Sequence, residues 1–149
     1  MPVLIRNRQR KQKVDTERIR DFTQRLLDRL RCGAKEVSLV IVNDRQITEI
    51  NRDYLGKNRP TNVISFAMGE GEFGDLDSGL LGDVVVSVDT ACRDALASGA
   101  NPDDELDFLI IHGVLHLLGY EHEKAEEARA MRKKEAEMFS ALKGYKLRR

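Results

Sequence analysis

The three histidines of this chain lie within one eleven-residue stretch, HGVLHLLGYEH, at residues 112–122. Imidazole nitrogens are common ligands of transition metals. In a helix each residue advances by about 100° and about 1.5 Å, so His112 and His116 lie on one face, about 6 Å apart along the axis. Gly119 can end that helix and let the chain turn, so that His122 returns as a third ligand. The spacing therefore predicts a metal site formed by these three residues.

Three imidazoles suit zinc best among the common metals, and the small number of ligands favours a catalytic site. A structural zinc site normally has four protein ligands, whereas a catalytic site has three and keeps a position for water. The chain has no fourth histidine, and Cys32 and Cys92 lie outside any recognisable ligand spacing. We expect both cysteines to be reduced, packed thiols. The alternative to a metal site is three buried histidines satisfied by hydrogen bonds.

The histidine spacing equals that of the metzincin proteases, whose motif is HExxHxxGxxH. The match covers all three histidines and Gly119. The glutamate of that motif activates water for peptide hydrolysis, and Gly113 stands at its position in this chain. The general base of a peptidase is therefore missing from its usual place, and a zinc metalloprotease is retained only as an alternative function.

Hydrophobic periodicity and turn residues predict an α/β or α+β fold that positions the histidine stretch. Residues 108–118 are apolar nearly all round, which predicts a central buried helix. Strands are predicted at 2–5, 36–42, 61–66 and 80–88, and helices at 15–31, around 47–54, and at 89–98, 102–118 and 123–142. Glycines 33, 56, 99, 119 and 144 are predicted to end the helices, and Asp15 or Thr16 to cap the first one.

The predicted architecture is a single domain over residues 1–149, with about five helices on a mixed, mostly parallel sheet of about four strands. Strands separated by helices favour parallel neighbours. The acidic, glycine-rich stretch 69–79 predicts a mobile surface loop that joins an antiparallel pair. Its Asp75 and Asp77 match no complete calcium-binding motif, and we expect them to be solvated.

Composition favours a soluble globular protein, since 41% of the 149 residues are hydrophobic and 34% are charged. No apolar run is long enough for a membrane span or a secretory signal, so we expect a cytoplasmic protein without a membrane partner. The net charge is zero, but the charged residues are segregated along the chain. Lys and Arg outnumber Asp and Glu by ten to four in residues 1–31 and by seven to two in 132–149, whereas residues 69–128 hold fifteen Asp and Glu and only two Lys and Arg. Either the basic ends face an anionic partner such as nucleic acid, or the charges interleave in space.

Together with PTNVISF at 60–66 and LLGDVVVS at 80–87, the histidine stretch resembles the YbeY family of bacterial ribosomal RNA maturation factors. The three motifs come in the family's order and spacing. The resemblance implies a metal-dependent hydrolase: a zinc-dependent, single-strand-specific endoribonuclease that matures the 3′ end of 16S ribosomal RNA and serves ribosome quality control. It also implies ribosomal RNA and the small ribosomal subunit as partners.

The resemblance assigns roles to individual residues. His112, His116 and His122 become the ligands of one zinc ion, and the first two are also counted as catalytic. Arg59 either contacts a phosphate and so acts in catalysis, or is an ordinary surface charge. Asp83 either orients a ligand or makes a local backbone hydrogen bond.

The chain also departs from the family pattern. Leu55 occupies a position where the family commonly has an arginine thought to serve RNA cleavage, and Arg52, Lys57 and Arg59 are nearby candidates to supply that charge. A further alternative is therefore a ribosome-binding maturation factor whose own catalysis is weak. Three other departures are Asn58, Ala67 and Glu121, which replace aspartate, proline and aspartate.

Overall fold

Strands and helices follow one another along the chain in the order βαβαββααα. A computed structural model describes residues 3–68 and 79–147. The strands in that part of the chain are β1 (Val3–Asn7), β2 (Glu36–Val42), β3 (Val63–Ala67) and β4 (Leu80–Ser87). The helices are α1 (Thr16–Arg29), α2 (Asp44–Leu55), α3 (Val88–Ser98), α4 (Pro102–Leu117) and α5 (Ala125–Lys143).

The four strands form one mixed sheet in the order β1-β2-β4-β3. β2 is parallel to both β1 and β4, because helices separate these strands in sequence. β3 is antiparallel to β4 and forms one edge of the sheet. The predicted mixed, mostly parallel sheet is thus confirmed. Residues 69–78, with Asp75 and Asp77, lie outside the described residues, so the prediction of a mobile loop stays a prediction.

Both faces of the sheet carry apolar side chains, because the residues of β2 and β4 alternate between them. Leu39, Val84 and Val86 belong to the large core shared with α1, α4 and α5. Val85 belongs to a smaller cluster on the opposite face, with Ile47 of α2. Within the large core α4 is buried along most of its length, as its sequence predicted: Leu109, Ile110, Ile111, Val114, Leu115 and Leu117 are all buried.

The helix ends confirm most of the predicted caps and correct one of them. The Asp15 side chain accepts a hydrogen bond from the Arg18 backbone N–H and so caps α1. That helix ends at Arg29, however, two residues before the predicted Arg31, and Gly33 is not the residue that stops it. Arg31 adopts the left-handed conformation with φ of 62°, and the Cys32 N–H then reaches the Leu27 carbonyl at 2.9 Å. These contacts form a Schellman motif, which here uses arginine where glycine is usual.

The segregated charges interleave where α1, α4 and α5 meet. Asp107 of α4 is fully buried and accepts hydrogen bonds from Arg18 of α1 at 2.9 Å and from Lys143 of α5 at 2.6 Å. The basic ends of the chain therefore neutralise part of its acidic middle, as the second interpretation of the charge pattern expected.

Among the described residues, no helix has the length and apolar character needed to cross a membrane. Cys32 and Cys92 are unpaired and half-buried, and burial raises the pKa of both thiols.

Candidate metal centre

The three histidines converge on one point, with ligand atoms that all lie within 4.8 Å of one another. His112 and His116 project from one face of α4, and their Nε2 atoms are 3.1 Å apart. Two nitrogens bound to one tetrahedral zinc ion lie about 3.3 Å apart, given bonds of about 2.0–2.1 Å. The donor set and its spacing therefore fit one metal ion, and these three residues could hold it.

His122 reaches this point because the chain reverses direction after α4. Gly119 has φ of 98°, a conformation that favours glycine. Its N–H donates to the His116 carbonyl, and the Tyr120 N–H donates to the Leu115 carbonyl, both at 3.0 Å. These two bonds form a Schellman motif and direct the chain back over the last turn of the helix. The predicted role of Gly119 is thus confirmed.

The imidazole of His116 is held in an environment that favours its neutral form. Burial lowers its pKa most, and the charges that His112 and His122 carry when protonated lower it further. A backbone hydrogen bond with Tyr120 and the Glu121 carboxylate act in the opposite direction, without reversing the shift. A metal ligand must be unprotonated, so the environment prepares His116 for that role.

Glu135 of α5 lies behind His112, a contact that the sequence interpretation missed. Its carboxylate Oε2 lies 3.3 Å from His112 Nδ1, at the long end of the hydrogen-bond range. Glu135 is only 5% exposed. One sequence signal was available: Glu135 is four residues from Met131 and Phe139, so it is a charged residue on the apolar face of an amphipathic helix.

Gly113 lies against the sheet, on a side of α4 that has no room for a side chain. A Cβ atom there would meet Val84 Cγ1 at 2.5 Å and Ser65 Oγ at 3.2 Å. The Ser65 hydroxyl donates a 2.9 Å hydrogen bond to the Gly113 carbonyl. A glutamate at position 113 would therefore collide with the sheet. The protease alternative lacks its general base for a structural reason, in addition to the sequence difference.

A cavity of about 750 Å³ opens beside the histidines and brings the predicted site residues together. Arg59 lines it, and the position of Arg59 is held by Asn51, whose Nδ2 donates to the Arg59 carbonyl at 2.9 Å. Asn51 is buried and was not identified from the sequence. Besides these two residues and the three histidines, the lining includes Leu55, Lys57, Thr61, Asn62, Val63, Ser65, Ala67 and Glu121.

The outer edge of β3 forms one wall of this cavity. Ser87 N–H donates to the Asn62 carbonyl and Met68 N–H to the Leu81 carbonyl, both at 2.9 Å. Even-numbered residues of β3 therefore pair with β4, and the main-chain groups of Val63, Ser65 and Ala67 point away from it. No strand of the described part of the chain pairs with this outer edge.

Several residues considered from the sequence occupy other positions. Arg52 and Asn58 are not among the cavity-lining residues, whereas Leu55 is, with 52% of its surface exposed. Asp83 lies on β4 next to Val84, which faces α4. Because neighbouring strand residues point to opposite faces, Asp83 points away from the histidines. The structure does not bring Asp83 to the candidate metal centre.

Comparison with known proteins places this fold and site in a family. The family described as Endoribonuclease YbeY matches residues 4–143. The chain belongs to that family. A protein of Syntrophus aciditrophicus named Endoribonuclease YbeY is 54% identical, and the match covers 99% of this chain and 93% of that protein. A protein of the same name from Geobacter sulfurreducens is 50% identical, and the match covers 95% of this chain and 96% of that protein. The YbeY resemblance and the prediction of an endoribonuclease are thereby confirmed.

A solved structure supports the fold independently. The solution structure of TM1509 from Thermotoga maritima superimposes with a TM-score of 0.67 and covers 95% of this chain and 89% of its own. The sequence identity is 22%, so this likeness concerns the fold alone. This chain thus shares its arrangement of strands and helices with TM1509.

Proposed function

We propose that this chain is a zinc-dependent, single-strand-specific endoribonuclease that matures the 3′ end of 16S ribosomal RNA and serves ribosome quality control in the cytoplasm. Its partners are then ribosomal RNA and the small ribosomal subunit. One observation carries the proposal: in a chain of the YbeY family, three converging imidazoles share a cavity with the cations Lys57 and Arg59.

Zinc is the proposed metal because the donor set consists of three imidazoles without a thiolate. His112, His116 and His122 would hold it. When bound, zinc supplies Lewis acidity, which lowers the pKa of water and polarises a phosphoryl oxygen. The cavity beside the three ligands leaves space for a substrate next to the metal position.

The cavity wall suits an extended single strand. Lys57 and Arg59 lie on the same cavity as the histidines, where their charges can bind a phosphate and stabilise the negative charge that develops during cleavage. Unstacked bases of a single strand can meet the outward main-chain groups of Val63, Ser65 and Ala67, whereas paired bases present fewer of these edges. Arg59 acts as the phosphate contact in this proposal.

Cleavage breaks one P–O bond of the RNA backbone, and the leaving ribose oxygen takes up a proton. Two nucleophiles are compatible with the site: a water molecule, or the 2′-hydroxyl next to the scissile phosphate. Attack by water gives a terminal phosphate monoester, and attack by the 2′-hydroxyl gives a 2′,3′-cyclic phosphate. Analysis of the product ends by mass spectrometry therefore identifies the nucleophile.

The experiment uses a single-stranded RNA that spans the 3′ end of 16S ribosomal RNA with its precursor extension, and the same RNA annealed to its complement. The zinc-loaded protein is expected to cut the single strand and to spare the duplex, and His116→Ala is expected to lose both zinc and cleavage. Undiminished cleavage by zinc-free His116→Ala would contradict the proposal. Arg132→Ala, on an exposed position of α5, is the matched control and should behave as the parent chain.

Leu55 favours a second candidate, a ribosome-binding maturation factor with weak catalysis. It places an apolar, 52% exposed side chain on the cavity wall, where a cation would assist cleavage. This candidate predicts that Leu55→Arg strongly increases the rate of RNA cleavage. Efficient cleavage by the unmodified chain would reject it.

A further inference from the structure

The geometry points to Glu135 as a positioning residue that fixes the tautomer and the ring orientation of His112, so that Nε2 of this histidine faces the metal position. The inference rests on the proposed metal-binding role of the three histidines. It concerns a residue on a different helix from His112 and His116, and 13 positions beyond His122.

The surroundings of Glu135 argue that its carboxylate has a specific partner. The residue is 5% exposed and lies on the face of α5 that also buries Met131, Met138 and Phe139. A carboxylate in such a place is costly unless it is hydrogen-bonded or paired. His112 Nδ1, at 3.3 Å, is the group that faces it.

The contact determines which nitrogen of His112 is left for the metal. A carboxylate accepts hydrogen bonds, so the proton of a neutral His112 lies on Nδ1 and the lone pair lies on Nε2. Nε2 is the atom that faces His116 Nε2 at 3.1 Å, inside the cluster of ligand atoms. Without the carboxylate, the tautomer with a proton on Nε2 becomes accessible, and this proton would occupy the place of the metal.

A second polar contact fixes α5 against α4 in the register that this role needs. Lys143, at the end of α5, donates a 2.6 Å hydrogen bond to Asp107 of α4. Glu135 lies earlier in α5 than Lys143, and its partner His112 lies later in α4 than Asp107. The reversed order of the two contacts means that the helices run antiparallel. The contact between Lys143 and Asp107 therefore holds α5 against α4 independently of the contact between Glu135 and His112.

The first test compares Glu135→Leu, which removes the acceptor at similar volume, with Glu135→Gln, whose amide oxygen can still accept a hydrogen bond from His112 Nδ1. Zn²⁺ affinity is measured by competition with a chromogenic chelator. Glu135→Leu is expected to weaken binding about 10- to 100-fold and Glu135→Gln clearly less. The control is Glu137→Leu, which removes an exposed carboxylate that lies 3.7 Å from Lys134, and it should leave the affinity unchanged.

The second test observes the tautomer directly, by long-range ¹H–¹⁵N NMR of the imidazoles in the metal-free protein. His112 is expected to carry its proton on Nδ1 in the parent chain and in Glu137→Leu, and to shift toward Nε2 in Glu135→Leu. A proton on Nε2 of His112 in the parent chain overturns the inference, and this result does not depend on how any variant folds. Parent-like zinc affinity of folded Glu135→Leu overturns it as well.

Neither measurement uses RNA, so the inference and the proposed function can fail separately. A chain that binds zinc through an oriented His112 but does not cut RNA would reject the proposed function and leave the role of Glu135 intact. If the parent chain cuts RNA with zinc and Glu135→Leu retains full zinc affinity, the role of Glu135 is rejected and the proposed function stands.

Discussion

The Ser65 hydroxyl of β3 and the Gly113 carbonyl of α4 are joined by a 2.9 Å hydrogen bond. Position 113 directly follows the first histidine of the candidate metal centre, and position 65 lies in the strand that lines its cavity. The bond is possible because Gly113 has no side chain between the helix and Val84. The close approach of α4 to the sheet therefore sets the distance between the histidines and the β3 wall.

Gly113→Ala is expected to destabilise the fold. The new Cβ atom would meet Val84 Cγ1 at 2.5 Å, and overpacking of this kind typically costs about 1–3 kcal/mol. Alanine recovers at most about 1 kcal/mol through its higher helix propensity. Urea unfolding of the parent chain and of the variant measures the net loss.

The double variant Gly113→Ala with Val84→Ala isolates the cause. Val84→Ala removes the methyl groups that the new Cβ would meet, so Gly113→Ala should cost much less free energy of unfolding in that background. An equal cost in both backgrounds would show that contact with Val84 is not responsible.

Asp107→Ala is expected to lower the free energy of unfolding strongly, because it leaves Arg18 and Lys143 without their buried partner. Breaking a buried pair costs about 3–5 kcal/mol, and the partial exposure of both cations favours the lower end. The control is Asp103→Ala: this carboxylate is 69% exposed and 3.8 Å from Arg18, so its loss should cost less than about 1 kcal/mol. Similar losses for the two variants would contradict the assignment of Asp107 as the anchor of the three helices.

The Asp44 carboxylate should contribute stability at neutral pH that is lost in acid. Burial raises its pKa, but hydrogen bonds from Thr90, Arg93 and Ser87 outweigh this and hold the pKa of the Asp44 carboxyl below its ordinary value of 3.8. The folded state therefore binds this proton less readily than the unfolded state, so the contribution is present above pH about 4 and fades as pH falls through the lowered pKa.

Asp44→Asn tests this pH dependence. The difference in unfolding free energy between the parent chain and this variant should be constant from pH 7 to about 5 and shrink below about 4. Asp53→Asn is the control, since Asp53 is 59% exposed and pairs only at the surface with Arg52. An Asp44→Asn difference that persists unchanged at pH 3 would exclude ionisation of Asp44 as its origin.

Arg59→Ala is expected to slow RNA cleavage by about 10²-fold without changing zinc affinity, because it removes a charge beside the phosphate and leaves the histidines in place. Arg52→Ala is the matched control: Arg52 lies nearby in sequence but outside the cavity lining. Single-turnover cleavage rates separate the two variants. Equal rates would mean that Arg59 has no particular role in the reaction.

The sequence allowed the histidine site to be predicted because all of its determinants are local. Helical periodicity brings His112 and His116 to one face, and the conformational freedom of Gly119 returns His122. The polar contacts around the site join distant segments: Ser65 and Gly113 are 48 residues apart, and His112 and Glu135 are 23 apart. No periodicity specifies such pairs, so they required the packing of α4 against β3 and α5.

The end of α1 illustrates a different limit. Local propensity favours Gly33 as the residue that stops the helix. The hydrogen bonds of the Schellman motif nevertheless form two residues earlier, around Arg31, where the Cys32 N–H donates to the Leu27 carbonyl. A non-glycine residue adopts the left-handed conformation when such bonds offset its cost. Local propensity therefore placed this helix end at the wrong residue.

A titration of metal-free protein with Zn²⁺, monitored by cleavage of the single-stranded 16S precursor RNA, tests the proposed function most directly. Cleavage is expected to be negligible without metal, to rise in proportion to added zinc and to reach a plateau at about one ion per chain, and His116→Ala is expected to stay inactive throughout. Full cleavage by the rigorously metal-free chain would show that the three histidines do not act through a bound zinc ion.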